Sequence, residues 1–279
     1  MSPEPPYVVE DCRGTLQLMS DGTVRRSGEL PAVLLVDVPD GDLGVEWRDV
    51  TYNQEHDLNA RLYQPRHLGA ANDGRLPVVA YFHGGGFCIG SGRWPCFHAW
   101  CLRLASELPA VVLSFDYRLA PEHRLPRRRT APDMSWLVRP PPRTPGSPGP
   151  PTSPRVFVAG DSPAETSPTT SRPGFGKTGL SPPVPPPRSG CSSCQPWQRG
   201  QHALELECPL DAFLTSRMGD ARTSGSCFPT ARRGIAAINL TGPEAPGLEI
   251  VAMGPILVVA AEHDIFRDRN THYARRMKE

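Results

Sequence analysis

The sequence lacks any segment that would place the protein in a membrane. No run of eighteen or more apolar residues occurs, and residues 1–9 contain no basic stretch followed by an apolar one. An excess of either charge is also missing, since 30 basic and 29 acidic residues leave a formal net charge of +1. No overall field would therefore gather nucleic acid or an anionic membrane. These absences favour a cytoplasmic protein with no nucleic-acid or membrane partner.

Metal-binding and disulfide patterns are missing as well. Eight cysteines in a chain without a secretion signal are expected to be reduced thiols. Cys191 and Cys194 have the spacing of half a zinc site or of a redox pair, but no second pair follows and no βαβ pattern surrounds them. Chance spacing is therefore favoured over a metal or redox site.

Proline is the residue present in excess, with 34 in total and nearly half of them between positions 140 and 187. Residues 139–154 and 163–235 show no sustained apolar periodicity apart from a short piece at 205–215. We predict that both segments are disordered or polyproline-like, because proline interrupts helices and buried strands. A natural linker, or a ligand for proline-binding modules at 182–187, is the alternative, although a doubly wound sheet needs crossover helices at these positions.

The remaining segments predict an α/β fold. Residues 45–51 and 58–63 alternate between apolar and polar, which indicates two antiparallel strands. Four segments are short apolar runs typical of parallel strands buried on both faces: 78–82, 111–115, 155–159 and 256–260. Helical spacing over 97–108 completes a βαβ unit. We therefore expect one domain with a mostly parallel, twisted sheet and helices on both faces.

A glycine-rich turn follows the strand at 78–82 directly and consists of His83, Gly84, Gly85 and Gly86. Glycines at a strand end let backbone N–H groups converge on an anion, which is how an oxyanion hole is made, although a plain turn or a phosphate loop fits the triplet alone about equally well. Two more strand ends carry polar residues, at 116–123 and 160–162, and Ser162 has the strand-to-turn position of a nucleophile elbow. The three strand ends predict a site at one sheet edge.

Together these motifs resemble the hormone-sensitive-lipase-like branch of the α/β-hydrolases. The opening residues 7–14 and 21–26 are similar to plant carboxylesterases in particular, the group that also contains the gibberellin receptors. The resemblance implies an α/β-hydrolase fold with an N-terminal lid over residues 1–44 and a hydrolase domain over 45–279. That domain is recognisable over 78–162 and 242–279, and its fold is incomplete after residue 162.

The resemblance also implies a chemistry. Ser162 would attack the carbonyl of a short-chain or aromatic carboxylic ester, with residues 83–86 as the oxyanion hole and the amides of Gly84 and Gly85 as donors. Asp264, which follows the strand at 256–260, would orient a histidine. A small-molecule ester is then the expected partner, with no metal and no organic cofactor, and the oligomeric state is left open.

The sequence departs from the family pattern at two places. The family histidine comes some tens of residues after the aspartate, where this sequence has ended, and none of the histidines at 83, 123 and 272 replaces it. The elbow reads Gly-Asp-Ser-Pro-Ala, and Pro163 has no N–H to donate to an oxyanion. We therefore expect impaired or absent hydrolysis by this polypeptide. The alternatives are non-catalytic small-molecule binding, as in the gibberellin receptors, and a frame-disrupted, pseudogene-like product.

Overall fold

The computed structural model describes residues 4–12, 14–27, 34–66, 76–123, 155–161, 190–192, 256–262, 267–276 and 278. A small antiparallel sheet forms the N-terminal part, in the order β1 (Val8–Asp11), β2 (Leu16–Met19) and β3 (Val24–Arg26). Cys12, Leu16 and Met19 are its buried apolar side chains. This sheet lies within the segment for which the sequence predicts a lid.

A seven-stranded sheet forms the centre of the molecule. Its strands are β4 (Val45–Asn53), β5 (Leu58–Pro65), β6 (Val78–Phe82), β7 (Val111–Phe115), β8 (Val156–Gly160), β9 (Gly190–Ser192) and β10 (Ile256–Val258). The spatial order is β10-β9-β8-β6-β7-β5-β4. The pairs β4/β5 and β5/β7 are antiparallel, and the four remaining pairs are parallel. The predicted α/β class and the antiparallel first two strands are therefore confirmed.

The two faces of the sheet carry separate apolar clusters, as the continuous apolar runs of β6 and β7 predict. Along β6, Val78, Ala80 and Phe82 pack in one cluster, whereas Val79 and Tyr81 pack in the other. This alternation follows from the two-residue side-chain period of a strand. Every residue of β6 and β7 is buried. A fully buried side chain such as Phe82 contributes about 1.5–3 kcal/mol to folding.

Helix α1 (Pro95–Glu107) connects β6 to β7 and covers one face of the sheet with Ala99, Cys101, Leu102 and Ala105. It begins two residues before the predicted start, because Pro95 in its first turn loses no helical hydrogen bond there. Helix α2 (Arg267–Arg276) follows β10 and buries Asn270 and Tyr273. Of the helices predicted on both faces of the sheet, the described residues contain these two.

The oxidation state of the cysteines and the position of strand β9 bear on two expectations from the sequence. Cys88 is disulfide-bonded in the structure, which corrects the expectation of reduced thiols at this position. Cys12, Cys96 and Cys101 form no disulfide, as expected. The short strand β9 lies inside the segment 163–235, where no ordered core is predicted. The rest of that segment and all of 139–154 lie outside the described residues.

Candidate active site

Three parallel strands end at the same level of the sheet. Phe82, the last residue of β6, pairs with Phe115 of β7 on one side and with Gly160 of β8 on the other. Because the strands are in register, the residues that follow them, His83, Asp116 and Asp161, emerge at one edge. Carboxyl ends of parallel strands are where α/β folds place ligands. The predicted meeting of these three segments is therefore present in the structure.

The glycine loop, defined as residues 83–87, needs its glycines for steric reasons. Gly85 has a φ of +119°, and a Cβ on it would lie 2.0 Å from the carbonyl oxygen of Ile89. Gly86 and Phe87 also have positive φ angles, of 62° and 60°. The carbonyl of Gly85 accepts hydrogen bonds from the N–H groups of Cys88 and Ile89, each at 3.1 Å. The loop is thus a tight, left-handed backbone turn that L-residues with side chains adopt only under strain.

The side chain of His83, the first residue of the glycine loop, is held by contacts with Gly84 and Tyr117. Its side chain is buried and stacks on Tyr117, with ring centroids 4.4 Å apart. Nδ1 lies 2.7 Å from the carbonyl of Gly84, which can only accept, so Nδ1 carries the proton. The hydroxyl of Tyr117 donates to the backbone carbonyl of His83 at 2.7 Å. Burial lowers the pKa of His83, so the ring is neutral at physiological pH and acts as a packing element.

Asp161 is the described residue next to the predicted nucleophile. Its Oδ1 accepts the hydroxyl of Tyr81 at 2.9 Å. Desolvation raises the pKa of this carboxyl to about 6, while the hydrogen bonds from Tyr81 and Gly84 act in the opposite direction. Asp161 therefore ties the end of β8 to the end of β6 through Tyr81.

Asp116 fixes the entrance to helix α1. Its Oδ1 accepts the hydroxyl of Ser91 at 2.8 Å and the N–H of Gly92 at 2.7 Å, and its Oδ2 lies 3.6 Å from Nε of Arg93. Its backbone carbonyl accepts the hydroxyl of Tyr52 at 2.6 Å. Asp116 thus fixes residues 91–93, which connect the glycine loop to α1, and its role is structural.

The N-terminal sheet contacts this edge through Arg26. The guanidinium donates to the carbonyls of Cys88 and Ala120 at 2.6 and 2.8 Å. It also forms a two-bond ion pair with Glu122, at 3.0 Å from Nε and 2.7 Å from Nη2. Sequence reasoning missed Arg26, Tyr81 and Tyr117. The two tyrosines could have been found from the sequence, because each has its phenol inside or beside an apolar strand. A hydroxyl buried there needs a hydrogen-bond partner.

The predicted site residues divide into two groups. His83, Gly84, Gly85 and Gly86 lie together at the sheet edge, beside Asp161. Ser162 and Asp264 lie outside the described residues, as does Pro163. Their roles stay predictions.

Comparisons with known proteins agree with this architecture. Residues 79–163 match a family model described as alpha/beta hydrolase fold. The chain is 41% identical over 119 residues to "Probable carboxylesterase 6" of Arabidopsis thaliana, a match covering 43% of this chain and 35% of that protein. It is 37% identical over 123 residues to "Hydrolase 3" of Catharanthus roseus, covering 44% and 35%. An esterase structure from Pyrobaculum calidifontis superimposes with a TM-score of 0.61 at 26% identity, covering 84% and 71%.

The sheet topology and these matches show that the chain has an α/β-hydrolase fold. Over the matched part, the chain is similar to plant proteins named as probable carboxylesterases. The matched part spans about a third of the length of these curated relatives. Among the residues that the structure describes, no helix has the length and apolar composition needed to cross a bilayer.

Proposed function

We propose that this chain carries the site of a serine carboxylesterase, with a small-molecule carboxylic ester as its substrate. The observation that carries the proposal is the arrangement of the glycine loop. A left-handed backbone turn at the carboxyl end of β6 lies beside the residue that precedes Ser162. The carboxylesterases and esterases among the similar proteins support the same class of reaction.

In the proposed reaction, Ser162 Oγ bonds to the ester carbonyl carbon while a base accepts its proton. The negative charge that develops on the carbonyl oxygen is stabilised by backbone N–H groups of the glycine loop, for which the sequence predicts those of Gly84 and Gly85. Each such donor is worth about 10²–10³ in rate. Asp264 would orient the histidine that serves as base.

We further propose that these 279 residues alone hydrolyse esters slowly. Two described candidate bases are engaged elsewhere: His83 is stacked on Tyr117, and His98 lies 2.9 Å from the hydroxyl of Tyr63 on the α1 face. Without a positioned base the serine hydroxyl is a weak nucleophile. Pro163 removes a further oxyanion donor, since proline has no N–H. The cytoplasmic location expected from the sequence stays a prediction.

Exogenous imidazole tests both parts of the proposal. The 279-residue protein and its Ser162→Ala variant would be offered p-nitrophenyl acetate with and without imidazole, and the rate of the variant would be subtracted. Without imidazole, the two rates are expected to agree within about tenfold, because members of a triad act as a unit. With imidazole, the parent protein is expected to exceed the variant, since the added base accepts the serine proton.

Two results would contradict the proposal in different ways. Rapid Ser162-dependent turnover without imidazole would mean that the polypeptide already contains its base. Equal rates of parent and variant at every imidazole concentration would mean that Ser162 is no nucleophile. In that case non-catalytic binding of a small molecule, the second hypothesis from the sequence, is measured by calorimetry with an uncleaved ester analogue.

A further inference from the structure

The side chain of Arg26 connects the N-terminal sheet to the glycine loop. Its Nη1 donates to the carbonyl of Cys88 at 2.6 Å, and its Nη2 donates to the carbonyl of Ala120 at 2.8 Å. Glu122 holds the guanidinium in place through two further bonds at 2.7 and 3.0 Å. One planar group thus joins the N-terminal sheet to partners that lie 62 to 96 residues further along the chain. The fixed fork of a guanidinium suits such a contact better than a lysine ammonium does.

The bond from Arg26 acts on the glycine loop through two peptide planes. The first is the peptide between Cys88 and Ile89: its C=O accepts from Arg26, and its N–H donates to the carbonyl of Gly85. The second is the peptide between Gly85 and Gly86, whose C=O is that same acceptor. In a trans peptide the C=O and N–H point in opposite directions. Fixing the C=O of the second plane therefore also fixes the direction of the Gly86 N–H.

The loop needs such support because its backbone is strained. Phe87 has a φ of 60°, in the left-handed region that a bulky side chain adopts only where surrounding contacts enforce it. The carbonyl of Phe87 is held by the N–H of Ala120 at 2.8 Å, and Ala120 is itself a partner of Arg26. Both sides of the strained residue are therefore fixed by contacts that include the guanidinium.

We propose that Arg26 is a positioning residue of the candidate active site. It orients the peptide between Gly85 and Gly86, within the loop that supplies the oxyanion donors in the proposed function, through the peptide planes 88–89 and 85–86. The N-terminal sheet is accordingly a structural part of the oxyanion hole, in addition to any role in covering the site. The catalytic consequence rests on the proposed esterase function, whereas the structural consequence does not.

Hydrogen exchange followed by mass spectrometry tests the proposal without any turnover. Four variants of the full chain are compared: Arg26→Gln, Arg26→Lys, Glu122→Gln and, as a matched control in the same strand, Arg25→Gln. Arg26→Gln is expected to accelerate exchange of the amides at 84–90 by about tenfold or more, because charge-assisted bonds to a backbone carbonyl are lost. Arg26→Lys retains the charge and should give a smaller increase. Arg25→Gln should leave these amides unchanged.

Esterase kinetics provide the second measurement. In the imidazole-assisted reaction, Arg26→Gln is expected to lower kcat about tenfold with little change in KM, because the glycine loop acts on the transition state. Arg25→Gln is expected to retain the parent values. Glu122→Gln leaves both bonds from Arg26 to backbone carbonyls available. Its kcat should therefore lie between those of Arg26→Gln and Arg25→Gln.

The outcomes separate this proposal from the proposed function. Unchanged exchange at 84–90 in both Arg26 variants overturns the positioning role, as does an increase spread evenly over the whole chain, which means general destabilisation. If no variant shows Ser162-dependent turnover, the esterase proposal fails, while the exchange data still decide whether Arg26 holds the loop. Should Arg26→Gln fail to fold, Arg26→Lys supplies the same comparison.

Discussion

The hydroxyl of Tyr81 donates to Oδ1 of Asp161 at 2.9 Å and joins the carboxyl ends of β6 and β8. The backbone repeats this connection, because the N–H of Asp161 lies 3.3 Å from the carbonyl of Phe82. The residue that precedes Ser162 is therefore fixed by its side chain and by its main chain. Its carboxyl is desolvated, which raises its pKa to about 6. A measurable pH dependence follows from this environment.

The first prediction concerns the stability of the Asp161→Asn variant relative to the parent protein. The folded-state pKa of Asp161, about 6, lies above the ordinary value of 3.8, so between these values the folded state binds more protons than the unfolded state. The contribution of this group to stability is therefore fully present below about pH 4 and is lost as the pH rises through about 6. From about pH 4 to pH 7 the parent protein should lose up to about 3 kcal/mol relative to the variant.

Urea unfolding of both proteins at several pH values measures this difference. Asparagine cannot ionise, so the variant removes the titration of residue 161 alone. Carboxyls with lowered pKa values, such as Asp49 and Glu122, titrate in both proteins and cancel. A constant difference across this pH range would show that the carboxyl of Asp161 is not desolvated.

The second prediction compares two glycines with positive φ angles. A Cβ on Gly85 would lie 2.0 Å from the carbonyl oxygen of Ile89, whereas a Cβ on Gly22 has nothing within 4 Å. Gly22→Ala should therefore cost about 1–2 kcal/mol from backbone strain alone. Gly85→Ala should cost about 1–3 kcal/mol more, because the loop must also move. Denaturant midpoints measure both variants, and equal destabilisation would contradict the close approach at Gly85.

The third prediction concerns the hydroxyl of Tyr117. Replacement by phenylalanine keeps the ring stacked on His83 but removes the donor to the backbone carbonyl of that histidine. A buried carbonyl left without this bond costs about 1–3 kcal/mol. The exposed Tyr7 provides the control, since Tyr7→Phe should be neutral within about 0.5 kcal/mol. Thermal or urea unfolding is the measurement, and a neutral Tyr117→Phe variant would rule out the bond as a stabilising contact.

The fourth prediction restores an oxyanion donor. Pro163→Ala supplies the backbone N–H that proline lacks, and Ala164→Gly in the same chain restores the family pattern after Ser162. The imidazole-assisted rate of this double variant should exceed that of the parent by about 10² or more, as expected for one added donor. The same substitutions in a Ser162→Ala background are the control and should add nothing. An unchanged rate would show that the missing N–H of Pro163 does not limit the reaction rate of Ser162.

Much of the sheet could be predicted from local sequence. The apolar runs of β6 and β7 indicate strands buried on both faces, and the alternation in β4 and β5 indicates an antiparallel pair. Strand β9 could not be found in this way, because it has only three residues within a proline- and serine-rich part of the sequence. It is defined by parallel pairing with Val158 and Ala159. A strand so short depends on its neighbours in the sheet and not on its own composition.

The candidate site was predictable in its backbone and not in its side-chain contacts. Strand ends followed by glycines and polar residues locate the edge where they meet, because parallel strands share one direction. The donation of the Tyr81 hydroxyl to Asp161 depends on how two strands align, and the contacts of Arg26 join segments distant in the sequence. No local pattern encodes such contacts. They arise only when the packed chain brings the partners together.

The central claim is the proposal that Ser162 is the nucleophile and that it reacts slowly unless a base is added. Peptide mapping by mass spectrometry after incubation with p-nitrophenyl acetate and imidazole tests it most directly. We expect one acetyl group on Ser162, formed only when imidazole is present and absent from the Ser162→Ala variant. Acetylation of Ser162 at full rate without imidazole, or acetylation at other residues only, would contradict the claim.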